Sequence, residues 1–206
     1  MKLSQPLKVP ENERQMIQDL ELLMDQPSYK ELRPCQGCEK PCTCSQSFSC
    51  TCMCQPECGF APLQMSSEPG QYPIEPKIIF LVFGFNCLRI CTPYWSCEGH
   101  LFTDGKLFRV PQVWFYSQST LYPKIINEYI HNLKIRKAIN YPWHICLTFS
   151  ENKLETGFSL EPDLKYMVNP DLLIMQKDVK VIAEHFVDGV KKLAGEYLSQ
   201  YRPSSR

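Results

Sequence analysis

Apolar residues recur at helical spacing, or run on for helical lengths, in four stretches of the chain, and four shorter apolar stretches read as strands. Met16, Ile17, Leu20, Leu23 and Met24 share one face of a helix from about Glu11 to Met24. Pro10 suits its first turn, where the missing N–H would be unpaired anyway, and Pro27 ends it. Lys77–Ile90 is apolar almost throughout and long for a strand, which predicts a buried helix opened by Pro76. Ile125, Ile126, Tyr129, Ile130 and Leu133 predict a helix from Leu121 to about Lys137. Val181, Ile182, Phe186, Val190, Leu193 and Leu198 predict a last helix over about Lys177–Tyr201. Pro93–Cys97 reads as a strand leading into a loop at Glu98-Gly99-His100, with a turn at Asp104-Gly105. Val113–Tyr116 is a short buried strand, and Trp143–Phe149 pairs with Thr156–Leu160 as a hairpin. The order helix, strand, strand, helix, strand, strand, helix predicts an α+β fold, a mainly antiparallel sheet with helices packed on one face.

Composition changes along the chain and divides it into four. Residues 1–34 hold the amphipathic helix and its lead-in, and residues 35–60 a Cys-rich knuckle rich in Ser, Thr, Gln and Pro. Residues 61–76, with Pro62, Pro69, Gly70, Pro73 and Pro76, read as a linker, and 77–206 form the α+β domain, separable from what precedes it.

Across 206 residues, 44% hydrophobic and 21% charged side chains suffice for a core without disulfides. Twenty-two basic residues balance twenty-two acidic ones, so no global field selects nucleic acid, membrane or an acidic substrate. The N-terminal Met1–Lys8 lacks the apolar stretch of a secretory signal. The longest apolar run, Ile78–Cys91, is broken by Gly84, Asn86 and Arg89 and is shorter than the roughly 20 residues that span a bilayer. A soluble cytoplasmic protein with no membrane partner is the expectation.

Eight of the twelve cysteines crowd into one segment as Cys35-x2-Cys38-x3-Cys42-x-Cys44-x5-Cys50-x-Cys52-x-Cys54-x3-Cys58. In a reducing compartment, clustered thiols point to metal. Cys-x-x-Cys brings two sulfurs from one tight turn to one tetrahedral ion, with Gly37 supplying the turn. Cys-x-Cys pairs close poorly as disulfides but ligate or bridge ions well. Eight sulfurs satisfy about two zinc ions at four per ion. An iron–sulfur cluster is the alternative cofactor, without the familiar ferredoxin spacings. No His, Asp or Glu is placed to leave an open position, so the segment reads as structural or as an interaction knuckle.

In the main domain, Ser96-Cys97-Glu98-Gly99-His100 gathers a thiol, a carboxylate and an imidazole around a glycine at a strand end. Three readings compete: a hydrogen-bonded structural turn, a binding site for a small polar ligand, and a Cys97–His100 nucleophile pair. The segment resembles the wybutosine-synthesising family of tRNA methyltransferases, in which a helix and a strand ending in Ser-Cys-x-Gly-Arg recur. Here His100 stands where that family has arginine. The resemblance implies nucleic-acid modification. Arg109, Gln112 and Glu161 are candidate contributors by position, and His144 and Cys146, on one face of a strand, could join His100 in a second metal site.

Two functions remain open. One is a zinc-binding protein whose α+β domain binds an unknown protein or small-molecule ligand. The other is an enzyme acting at Ser96–His100, with nucleic-acid (tRNA) modification as the chemistry that the resemblance implies and the zinc segment as structural support.

Overall fold

The structure, a computed structural model, describes residues 10–26, 65–66, 74–117, 119–152, 155–166 and 169–201. The thiolate segment Cys35–Cys58 lies outside the described residues. Five helices are described: α1 (Pro10–Met24), α2 (Ile79–Leu88), α3 (Leu121–Ile135), α4 (Leu172–Glu184) and α5 (Phe186–Tyr201). Five strands, β1 (Met65–Ser66), β2 (Cys91–Leu101), β3 (Leu107–Ser117), β4 (Trp143–Asn152) and β5 (Glu155–Pro162), form one sheet in the order β1-β2-β3-β5-β4. The two-residue β1 pairs parallel to β2, and every other pairing is antiparallel. The expected α+β class is therefore observed.

Two-residue alternation sorts the sheet into faces. Val113 and Phe115 of β3 pair with Leu160 and Phe158 of β5, and all four are buried in one core with side chains from every helix. Phe85 of α2 lies 4.6 Å from Phe115 and 4.8 Å from Phe186 of α5, ring centroid to centroid, which fastens two helices to this face. Leu20 and Leu23 of α1 are fully buried in the same core, as is Ile74 to within 4%. Each such apolar side chain contributes about 1.5–3 kcal/mol. Helix α1 and the residues just before Pro76 thus pack together with 77–206.

The opposite face carries a different set. Trp95, Trp114, Ser159 and Cys146 occupy directly paired positions on β2, β3, β5 and β4. A β-bulge between Pro93 and Trp95 adds one residue to β2. Tyr94 consequently joins Trp95 on this side: its ring stacks on Tyr116 at 4.3 Å and meets Trp114 edge-on at 6.1 Å. Trp95 lies 5.1 Å from Trp114.

Three expectations need correction. The segment Glu98–His100 is not a loop but continues strand β2 beyond Cys97, and the chain reverses later, where Gly105 (φ +82°) donates its N–H to the Phe102 carbonyl. The short strand expected at Val113–Tyr116 is the end of an eleven-residue strand, Leu107–Ser117. The last helix starts earlier and is two helices. Asp171 caps α4 by accepting from Leu173 N (2.7 Å) and Ile174 N (3.3 Å), and the helix ends at His185. The Tyr129 hydroxyl donates to the Ile182 carbonyl at 3.0 Å, the acceptor that residue 186 would use in an uninterrupted helix. Val179, Ile182, Phe186 and Val190 nevertheless stay buried, so the apolar stripe runs through the break.

Candidate functional site

Strand β2 is held by groups that come from outside the sheet. Glu75, only 1% exposed, accepts from Glu98 N through Oε2 (2.7 Å) and from His100 Nε2 through Oε1 (3.0 Å). The Glu98 carboxylate in turn accepts from Lys77 N (2.9 Å), and its carbonyl from Gln176 Nε2 of α4 (3.0 Å). Lys77 Nζ donates to Gln176 Oε1 at 2.8 Å, closing the network. Strand β3 pairs β2 as far as Leu101, while beyond Ser96, where the pairing with β1 ends, these groups supply partners for the polar atoms of Glu98 and His100.

Gly99 makes this geometry feasible. Its φ is +86°, and a Cβ there would lie 2.5 Å from Leu172 Cδ1 and 2.9 Å from Pro111 Cδ. Its N–H points at Cys97 Sγ at 3.3 Å. Cys97 is fully buried, and so is Ser96, while the His100 side chain keeps a quarter of its surface exposed. Donor atoms of Glu75, Cys97 and His100 all lie within 4.8 Å of one another. Buried as it is, Cys97 is poorly placed to attack a substrate; the same burial suits a metal ligand.

A groove of about 480 Å³ opens beside the network, between Lys77, Phe80, Leu173, Gln176 and Val179. It runs along α4, and neither Cys97 nor His100 lines it.

Among the other sequence candidates, Arg109 pairs with His100 across the hairpin, and its guanidinium sits 5.4 Å from the ring centres of both Trp95 and Phe108. Gln112 pairs with Cys97 and accepts from Trp114 Nε1 at 2.9 Å. Glu161 belongs elsewhere: it pairs with His144 at the far side of the sheet. The trio of His100, His144 and Cys146, one of the arrangements open to the sequence, is not assembled. His100 joins Glu75 and Cys97, whereas His144 and Cys146 join Glu161, again with donor atoms within 4.8 Å. Burial raises the Cys146 thiol pKa, and the carboxylates of Glu161 and Asp163 raise it further. Cys91, deep in the core, is pushed up to about 12 by burial, against a smaller lowering from the Ser117 hydrogen bond.

Glu75 is the functional candidate that sequence reasoning missed. It sits 22 residues before Cys97 and 25 before His100, in a Pro-flanked stretch with no periodicity. One signal was available, an acidic residue beside an isoleucine between Pro73 and Pro76. Comparison with known proteins adds no relative: no family model, curated protein or solved structure matches the chain. Among the described residues, no helix is long and apolar enough to cross a membrane.

Proposed function

We propose that this is a zinc-binding protein with two kinds of site: a closed all-sulfur segment at Cys35–Cys58, and a mixed-donor centre in the α+β domain at Glu75, Cys97 and His100. One observation carries the second part. Glu75 Oε1 and His100 Nε2 stand 3.0 Å apart with Cys97 Sγ nearby, close to the roughly 3.3 Å that separates two N or O donors on one tetrahedral zinc. Glu98 N steadies the carboxylate and Gly99 N steadies the sulfur, the outer-shell support that such ligands ordinarily receive. Sulfur, nitrogen and oxygen in one set favour zinc over the hard cations, which prefer oxygen alone.

Three protein donors would leave a fourth position, and the quarter-exposed His100 side chain supports solvent access to the centre. A position of this kind favours a second reading, an enzyme acting at Ser96–His100, with nucleic-acid modification as the chemistry that the Ser-Cys-x-Gly likeness suggests. The aromatic face formed by Tyr94, Trp95, Trp114 and Tyr116 offers a protein or small-molecule partner a large amphipathic contact surface.

Elemental analysis and native mass spectrometry of the full chain test the proposal. The thiolate segment should hold about two zinc ions. Cys97→Ser and His100→Ala should each remove one further equivalent while leaving the helical circular dichroism intact. Unchanged zinc in both variants would refute the domain centre. Stoichiometric iron with acid-labile sulfide would instead make the thiolate segment an iron–sulfur site.

A further inference from the structure

We propose that the far edge of the sheet holds a second, independent divalent-metal site, built from His144, Cys146 and Glu161 with Asp163 as the adjoining carboxylate. The backbone prescribes the arrangement. His144 and Cys146 are two residues apart on β4 and so share a face, and β5 places Glu161 directly opposite His144 and Ser159 directly opposite Cys146. Three donors therefore sit at adjacent positions of one hairpin, on regular strands that hold side chains more firmly than loops do.

Two carboxylates stand within ion-pair range of the one imidazole. His144 Nε2 is 3.9 Å from Glu161 Oε1, and Nδ1 is 3.6 Å from Asp163 Oδ2. Both exceed hydrogen-bond reach, so the imidazole lies between two carboxylates without bonding to either. Cys146 Sγ completes the ring of donors within 4.8 Å. Donors on one tetrahedral zinc lie about 3.3–3.6 Å apart, so side-chain rotations that close roughly an ångström would bring all three onto a common ion. Glu161 is already oriented for this: Ser159 Oγ donates to Oε2 at 2.6 Å, and Oε1 faces His144. All three ligands are half-buried, which gives an ion both a path in and partial shielding from water. A thiol with an imidazole and a carboxylate selects a borderline ion such as Zn²⁺ rather than Ca²⁺ or Mg²⁺.

This site shares no residue with Glu75, Cys97 and His100, and the test keeps the two apart. Zinc itself is the probe, titrated into full-length protein by calorimetry and counted by native mass spectrometry. His144→Ala should lose one equivalent that Cys97→Ser retains. Glu161→Gln, nearly isosteric and safe for folding, should weaken that equivalent by more than the roughly 10–100-fold of an outer-shell change, and Ser159→Ala should fall within that range. If His144→Ala and Glu161→Gln bind zinc with the stoichiometry and affinity of the parent, the proposal is overturned, whatever Cys97→Ser does. Loss in Cys97→Ser alone would leave the domain centre standing and this one refuted.

Discussion

Replacing Gly99 by alanine probes the local geometry on which the strand β2 centre depends. Two costs combine at this position. A left-handed φ of +86° strains any residue with a Cβ by about 1–2 kcal/mol. The new methyl would also fall 2.5 Å from Leu172 Cδ1, 2.9 Å from Pro111 Cδ and 3.0 Å from Pro111 N. Leucine can swing aside, but the proline ring and its backbone nitrogen cannot, so overpacking adds about 1–3 kcal/mol. Gly105 supplies the control. It has a similar φ of +82° with nothing within 4 Å of its built Cβ, so Gly105→Ala should show the backbone cost alone. Urea unfolding followed by circular dichroism should place Gly105→Ala about 1–2 kcal/mol below the parent and Gly99→Ala about 2–5 kcal/mol below it. The larger loss should lower the melting temperature by roughly 2–4 °C for each kcal/mol. Equal losses in the two variants would mean that strand β2 does not press on Pro111 and Leu172, and the described surroundings of Cys97 and His100 would be wrong.

Asp178, fully buried, accepts from Asn140 N, Asn140 Nδ2 and Tyr141 N at 2.8–2.9 Å, so Asp178→Ala should cost about 3–5 kcal/mol in urea unfolding at unchanged m, and a loss under about 1 kcal/mol would discredit this network. The Cys91 thiol is raised in the folded state from 9.0 to about 12. The unfolded chain therefore gives up its proton first as pH rises, and stability should fall from about pH 9 upward by roughly 1.4 kcal/mol per unit until the folded thiol titrates; Cys91→Ala should flatten that slope in melts between pH 8.5 and 10. Leu20→Ala and Leu23→Ala should each cost about 2–5 kcal/mol. A chain beginning at Gln71 would also lose the Asp19 carbonyl that accepts from the Tyr122 hydroxyl, and should melt well below the full-length protein by scanning calorimetry.

Much of the architecture was legible because it rests on local periodicity. Met16 through Leu23, the apolar run after Pro76 and the stripe on α3 bury the faces expected of them, whereas Met24, at the end of the first stripe, is 37% exposed. The paired strands Trp143–Phe149 and Thr156–Leu160 were legible too, and with them the opposition of His144 to Glu161 was within reach. What escaped was set by contacts distant in sequence. Glu98, Gly99 and His100 look like a loop because polar residues and a glycine interrupt an apolar strand. They remain extended because β3 pairs with them and Glu75, Lys77 and Gln176 satisfy their remaining polar groups. The break at His185 escaped for the opposite reason. Its apolar stripe continues unbroken, and the feature that marks it, a tyrosine hydroxyl on the Ile182 carbonyl, comes from a helix more than fifty residues away.

The bulge at Tyr94 makes one position in the middle of a strand dispensable. Thr92 pairs with Tyr116 and Pro93 with Phe115, and pairing resumes at Trp95 with Trp114, so Tyr94 is the surplus residue. A chain lacking Tyr94 would keep every other residue of β2 opposite its present partner, losing a stacked ring but no ligand. Deleting Ser96 instead would displace the residues around it by one place and turn side chains to the wrong face of the sheet, Cys97 or Trp95 among them. Single-residue deletions across β2 should therefore be tolerated at one point and ruinous on either side of it, and natural length variation in this strand is expected to fall at Tyr94.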